Sequence, residues 1–151
     1  MALALKTLEA EIDRTGVELL VGDLPVVMAE QTHLACVFEN LLSNALKYQV
    51  EGRDPKLSVS AERTARGEWR FAVADNGIGI EPQYREKIFE IFQRLDPASE
   101  TQGTGIGLTL CRRIIHHFGG DIWVESEPGR GTTVNFTLRD GRAPCISRAS
   151  P

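Results

Sequence analysis

Apolar residues recur along this chain with two different periods, and the switches between them outline its elements. Between residues 32 and 48, Leu34, Val37, Phe38, Leu41, Leu42 and Ala45 stand at i, i+3, i+4, i+7, i+8 and i+11, which predicts a long helix with one face turned to a core. A second helical stripe, Leu108, Cys111, Ile114, Ile115 and Phe118, predicts a helix over 108–118 that Gly119-Gly120 ends. Near the N-terminus Leu5, Leu8 and Ile12 predict one short helix over 2–14, stopped by Gly16 before a strand at 17–21. Alternating runs at 57–63 and 69–74, joined through Arg66-Gly67, read as an antiparallel hairpin. Strands at 121–125 and 132–139 flank the turn Glu127-Pro128-Gly129-Arg130-Gly131. A short helical pattern at 86–92 gives way to residues 96–102, which carry no apolar period and are expected to be mobile, as is a tail over 140–151. Helices and strands are mixed without regular alternation. The expected fold is an α/β (α+β) two-layer sandwich, a mixed and mostly antiparallel sheet covered on one face by helices.

Composition narrows the function classes. The 151 residues suit one domain, here 1–139, able to bury roughly 68–70% of its unfolded surface. A net charge of −4, with no dense run of Lys or Arg, gives no reason to expect nucleic acid as a partner. Cys36, Cys111 and Cys145 lack CxxC spacing, so a reduced, cytoplasmic protein is expected. No apolar run reaches the ~20 residues that span a bilayer, and no membrane contact is expected.

Three polar features do not belong to a plain core. Asn is a poor residue for a helix interior, yet Asn40 and Asn44 stand one turn apart in the strongest helical pattern, with Lys47 on the same stripe. Amide oxygens there can ligate Mg²⁺, and Lys47 can meet a phosphate. Taken alone, this stripe is equally well a solvated helix face. Asp75 closes a strand before Asn76-Gly77-Ile78-Gly79-Ile80, where a carboxylate can accept a hydrogen bond from the exocyclic amine of adenine; guanine would set its O6 acceptor to acceptor, at about 1–3 kcal/mol. Gly77 and Gly79 allow a close approach to a flat base. Gly103, Gly105 and Gly107 alternate just before the second helix, leaving backbone N–H groups for phosphate oxygens at its positive end. That run is neither GxGxxG nor a Walker loop.

In this order the features resemble the catalytic, ATP-binding domain of sensor histidine kinases, the HATPase_c or Bergerat fold shared with gyrase-type and chaperone-type ATPases. Residues 38–48 look like the family's N box, 75–80 its G1 box, Ile88-Phe89-Glu90-Ile91-Phe92-Gln93-Arg94 its F box and Gly103-Thr104-Gly105-Ile106-Gly107-Leu108 its G2 box. Residues 122–131 look like its closing hairpin, in a version common in kinases with soluble sensory modules such as phytochromes. The resemblance implies that Asn40 and Asn44 hold Mg²⁺, Lys47 and Tyr48 line the phosphate and ribose side, and Asp75 selects adenine. Gly77, Gly79, Ile80, Phe92 and the residues Gly103 to Leu108 would line the nucleotide, and Arg94 would assist the γ-phosphate. Phe89 and Phe92 would anchor an ATP lid over 93–103. Thr132 or Thr133 would reach adenine through water, the strand register deciding which. Gln49 and Arg139 depart from the family's usual Ser/Thr and Pro without touching a ligand-binding role.

Hydrolysing members of the superfamily carry Glu where Asn40 stands, so hydrolysis is expected to be very weak. The γ-phosphoryl group should pass to a histidine on a separate dimerisation domain, and from there to a response regulator. His33, His116 and His117 lie in the domain's own helices and lack an acceptor-like His-Glu context, so they read as structural or surface residues. The chain reads as a catalytic domain without its acceptor, and a monomer. A stand-alone anti-sigma-type serine/threonine kinase and a degenerate ATP-binding module are the competing readings. The F box, long lid and closing hairpin disfavour the first; Lys47, Arg94 and the two asparagines disfavour the second.

Overall fold

The computed structural model describes residues 1–90 and 105–142. Helices α1 (Ala2–Thr7) and α2 (Glu9–Thr15) lead to strand β1 (Glu18–Val21), followed by α3 (Gln31–Lys47), β2 (Lys56–Arg63) and β3 (Glu68–Asp75). Single 3₁₀ turns at Pro82–Tyr84 and Lys87–Phe89 come next, then α4 (Gly107–His117), β4 (Ile122–Glu127) and β5 (Gly131–Arg139). The strands form one sheet in the order β1-β2-β3-β5-β4, parallel only between β1 and β2.

Strand period and helix period meet in one core. Leu57 and Val59 on β2, Phe71 and Val73 on β3, Phe136 and Leu138 on β5 and Ile122 on β4 are all buried at alternating positions. They pack against Val37, Phe38, Leu41 and Leu42 of α3 and Cys111 and Ile115 of α4. Phe71 and Phe136 are cross-strand partners whose rings stack at 4.9 Å, 5° from parallel, and Phe38 meets them edge-on at 6.0 and 5.7 Å. Truncating Phe136 to Ala is expected to lower stability by about 3–5 kcal/mol, read as a shift in the denaturant midpoint at unchanged m-value.

Three expectations are corrected. The N-terminal helix is not continuous: Leu8, at φ −99° and ψ 5°, leaves the helical region and divides it. Ala4 and Leu8 are buried while α2 buries none of its residues, so the break falls where the buried face ends. Residues 86–92 do not open a full helix; Lys87–Phe89 form one 3₁₀ turn that sinks the adjacent Ile88 and Phe89, and 91 and 92 lie outside the described residues. The chain is not loose from Asp140. That residue bridges to Val27, takes an ion pair from Arg63 at 3.1 Å and accepts from the Arg142 N–H, and the Gly141 N–H donates to the Val26 carbonyl. The rest of the expected tail, 143–151, lies outside the described residues.

Candidate nucleotide site

The end of β3 carries the first half of the site. Asp75 and Thr132 are directly paired across β3 and β5, and Thr132 is paired with Ser126 across β5 and β4, so the three form a row on the helix-covered face of the sheet. Asp75 Oδ1 accepts from the N–H groups of Gly77 at 2.8 Å and Thr132 at 3.3 Å. Its second oxygen has no donor among the described residues. The row opens into a depression of about 440 Å³, also lined by Arg85, Glu127 and Arg130. Register thus sets Thr132, not Thr133, opposite Asp75.

Burial raises the Asp75 pKa above its ordinary 3.8, and the two backbone N–H bonds only partly oppose this. A ligand amine donating to the free oxygen favours the carboxylate and draws the value back down. Affinity for an amine-bearing base should therefore be full above the raised value and fall as pH drops through it. A ¹³C titration of the Asp75 carboxyl is expected to give a pKa above 3.8 in the free chain and a lower one with nucleotide bound; equal values would remove the contact.

Backbone packing explains the glycines of this loop differently from the sequence reading. A Cβ on Gly77 would meet the Tyr48 carbonyl, and one on Gly79, at φ +74°, would meet the Glu127 carbonyl. The close approach is to protein backbone at both positions. The Ile78 N–H donates to the Tyr48 carbonyl at 3.0 Å and the Gly129 N–H to the Ile78 carbonyl at 2.8 Å, fastening the loop between the end of α3 and the β4–β5 turn. Arg53 bonds the Asn76 and Gly129 carbonyls at 2.9 and 3.0 Å, and Asn76 pins residues 54 and 56 through both ends of its amide. Ile80 packs partly against the core and donates its N–H to Ser126 Oγ at 2.8 Å.

Helices α3 and α4 carry the second half. Asn40 Nδ2 donates back to the Cys36 carbonyl at 2.8 Å and lies 3.5 Å from Cys36 Sγ. This turns Asn40 Oδ1 toward Gly107, where any Cβ would collide with it, so the glycine is what lets α4 begin on top of Asn40. Asn44, one turn on, makes no side-chain hydrogen bond among the described residues, and its amide oxygen is available as a hard ligand. Lys47 closes α3 half-buried, and Tyr48 caps it with its side chain exposed. Helix α4 has no side-chain N-cap, which leaves its first-turn N–H groups without that partner, and Gly105 precedes it at φ +69°. Ile106 is exposed, whereas Leu108 packs partly against the core. Phe92, Arg94, Gly103, Thr104 and the lid at 93–103 lie outside the described residues.

Ser126 and Arg85 were not singled out from sequence. Arg85 reaches the Ser126 carbonyl and lines the depression. Ser126 could have been found by counting outward from the β4–β5 turn, since alternation places it on the face of Thr132. The histidines stand apart from this site: His116 lies 3.5 Å from Asp121, and His33 packs near Phe118. Cys111, free like Cys36, is buried, and burial pushes its pKa up to about 12, which makes it a core thiol. Among the described residues no helix is long and apolar enough to cross a membrane.

Residues 29–142 match the family described as histidine kinase-, DNA gyrase B-, and HSP90-like ATPases. The chain is 46% identical over 138 residues to the phytochrome-like protein Cph1 of Synechocystis, which covers 91% of this chain but only 18% of the relative's length. Among solved structures it superposes on the catalytic domain of histidine kinase ThkA with a TM-score of 0.75 and 28% identity, over 91% of this chain and 88% of that one. It superposes equally on full-length ShkA in complex with AMPPNP, with a TM-score of 0.76 and 28% identity, over 91% of this chain and 28% of that one. The chain belongs to the family of histidine kinase-, DNA gyrase B-, and HSP90-like ATPases, and within it to the histidine-kinase catalytic domains.

Proposed function

We propose that this domain binds Mg-ATP and transfers the γ-phosphoryl group to a histidine on a separate dimerisation domain. The observation that carries the reading is Asp75, which lines a depression and has one oxygen held by two backbone N–H groups and the other without a donor among the described residues. Such a carboxylate is oriented before any ligand arrives and suits an amine donor. Asn40 and Asn44 offer amide oxygens of the kind Mg²⁺ takes while keeping water and phosphate as its other ligands. When bound, the ion neutralises phosphate charge. The uncapped N–H groups at the start of α4 would hold phosphate oxygens, with Lys47 and Arg94 adding positive charge. Catalysis by this domain is then positioning and charge neutralisation, and the nucleophilic imidazole comes from outside.

The proposed partners are that dimerisation domain and, after it, a response regulator; the domain itself acts as a cytoplasmic monomer. The test is to mix the chain with [γ-³²P]ATP, Mg²⁺ and a histidine-bearing dimerisation domain from a related kinase. Acid-labile label on that domain is expected. Label that is acid-stable, or none at all, would sink the reading.

A further inference from the structure

We infer that Ser126 is a specificity-determining positioning residue, which fixes the proton of the Thr132 hydroxyl so that the Asp75 and Thr132 side chains together present acceptors only. This rests on the reading of the Asp75 depression as an adenine site.

A serine hydroxyl has one proton to give and two lone pairs to receive. Ser126 Oγ lies 2.8 Å from the Gly131 carbonyl, which can only accept, so the serine proton is committed there. The Ile80 N–H donates to Ser126 Oγ at 2.8 Å and takes one lone pair. The remaining contact, 2.9 Å to Thr132 Oγ1, must use the threonine proton, because the serine has none left. Thr132 Oγ1 is thereby left with lone pairs only. Its neighbour in the row, Asp75, holds Oδ1 under two N–H donors and keeps Oδ2 as a second free acceptor. Both groups face the same depression. Such a pair receives a 6-amino purine, directly or through a water, and opposes a 6-oxo purine, whose O6 finds no donor on either of these two side chains.

Threonine alone does not enforce this. A free hydroxyl rotates and offers its proton to a carbonyl, so discrimination at Thr132 depends on Ser126. The Ile80 N–H links the same serine to the loop after Asp75, which holds the row in register.

The experiment is calorimetric titration of the 151-residue chain with ATP and with inosine triphosphate, which carries a 6-oxo group and an N1–H where adenine has its 6-amino group and an N1 acceptor, both with Mg²⁺. Ser126→Ala should narrow the preference for ATP over inosine triphosphate about tenfold, in part by a gain for the inosine nucleotide as the Thr132 proton turns to O6. Ser126→Thr, which keeps the hydroxyl, should restore the original ratio. Thr132→Val should weaken ATP and leave inosine triphosphate unchanged, and it stands in if the serine variant does not fold. Parallel losses for both nucleotides, in either variant, would overturn the role given to Ser126 while leaving the ATP site intact. Failure of the unaltered chain to bind ATP would overturn the site itself, and this inference with it.

Discussion

Changing Asp75 to Asn is expected to weaken ATP binding about a hundredfold, some 2.7 kcal/mol, without loosening the fold. The two backbone N–H groups of Gly77 and Thr132 converge on one oxygen of the side chain, so the substituted amide must place its own oxygen there. Its NH₂ then occupies the position of the free carboxylate oxygen and faces the adenine amine donor to donor. The loss combines a charge-assisted hydrogen bond, worth about 1.5–3 kcal/mol, with the cost of unpaired donors. Stability should not suffer. Burial raises the Asp75 pKa, so its ionised form opposes folding; the stability this carboxyl contributes is greatest below 3.8 and is lost as pH rises through the raised value. A neutral amide removes that penalty at neutral pH while keeping the acceptor for both N–H groups. Calorimetry with ATP, alongside a thermal melt, reads both effects. Unchanged ATP affinity in a folded variant would remove Asp75 from the base site.

Much of this arrangement is legible in the sequence because it depends on short-range periodicity. The six apolar positions of α3 and the stripe of α4 fix two helices and their buried faces, and alternation fixes β2, β3 and β5 to within a residue or two. Asp75, Asn40 and Asn44 stand out because each residue type is wrong for its bland environment. What the sequence hides is set across space. The break at Leu8 coincides with the end of the buried face, and the anchoring of Asp140 depends on Arg63 and Val27, both far away in sequence. Gly77 and Gly79 were recognisable as places of close approach, but only packing shows that the Tyr48 and Glu127 carbonyls do the approaching. Ser126 is an ordinary strand residue until β4, β5 and the loop after Asp75 bring three partners onto one hydroxyl.

The other large effect belongs to the two asparagines. Asn44→Ala is expected to reduce phosphotransfer to an external histidine by about 10²–10³-fold, the kinetic equivalent of the several kcal/mol that metal charge stabilisation supplies. Nucleotide binding measured in EDTA should change little, since the proposed base contact is Asp75 at the end of β3 and not Asn44. That split distinguishes a metal ligand from a residue that merely supports the fold. Asn40 should behave less simply, because its amide serves two ends at once. Nδ2 must donate to the Cys36 carbonyl for Oδ1 to face the start of α4, so Asn40→Asp, though it keeps an oxygen for the metal, sets carboxylate against carbonyl. Asn40→Asp is therefore expected to destabilise the folded chain by about 1–3 kcal/mol as well as to slow transfer. Asn44, with no side-chain hydrogen bond of its own among the described residues, should lose transfer alone. Equal thermal shifts in the two variants would mean that Asn40 is not oriented through Cys36, and transfer unaffected by Asn44→Ala would place the metal elsewhere.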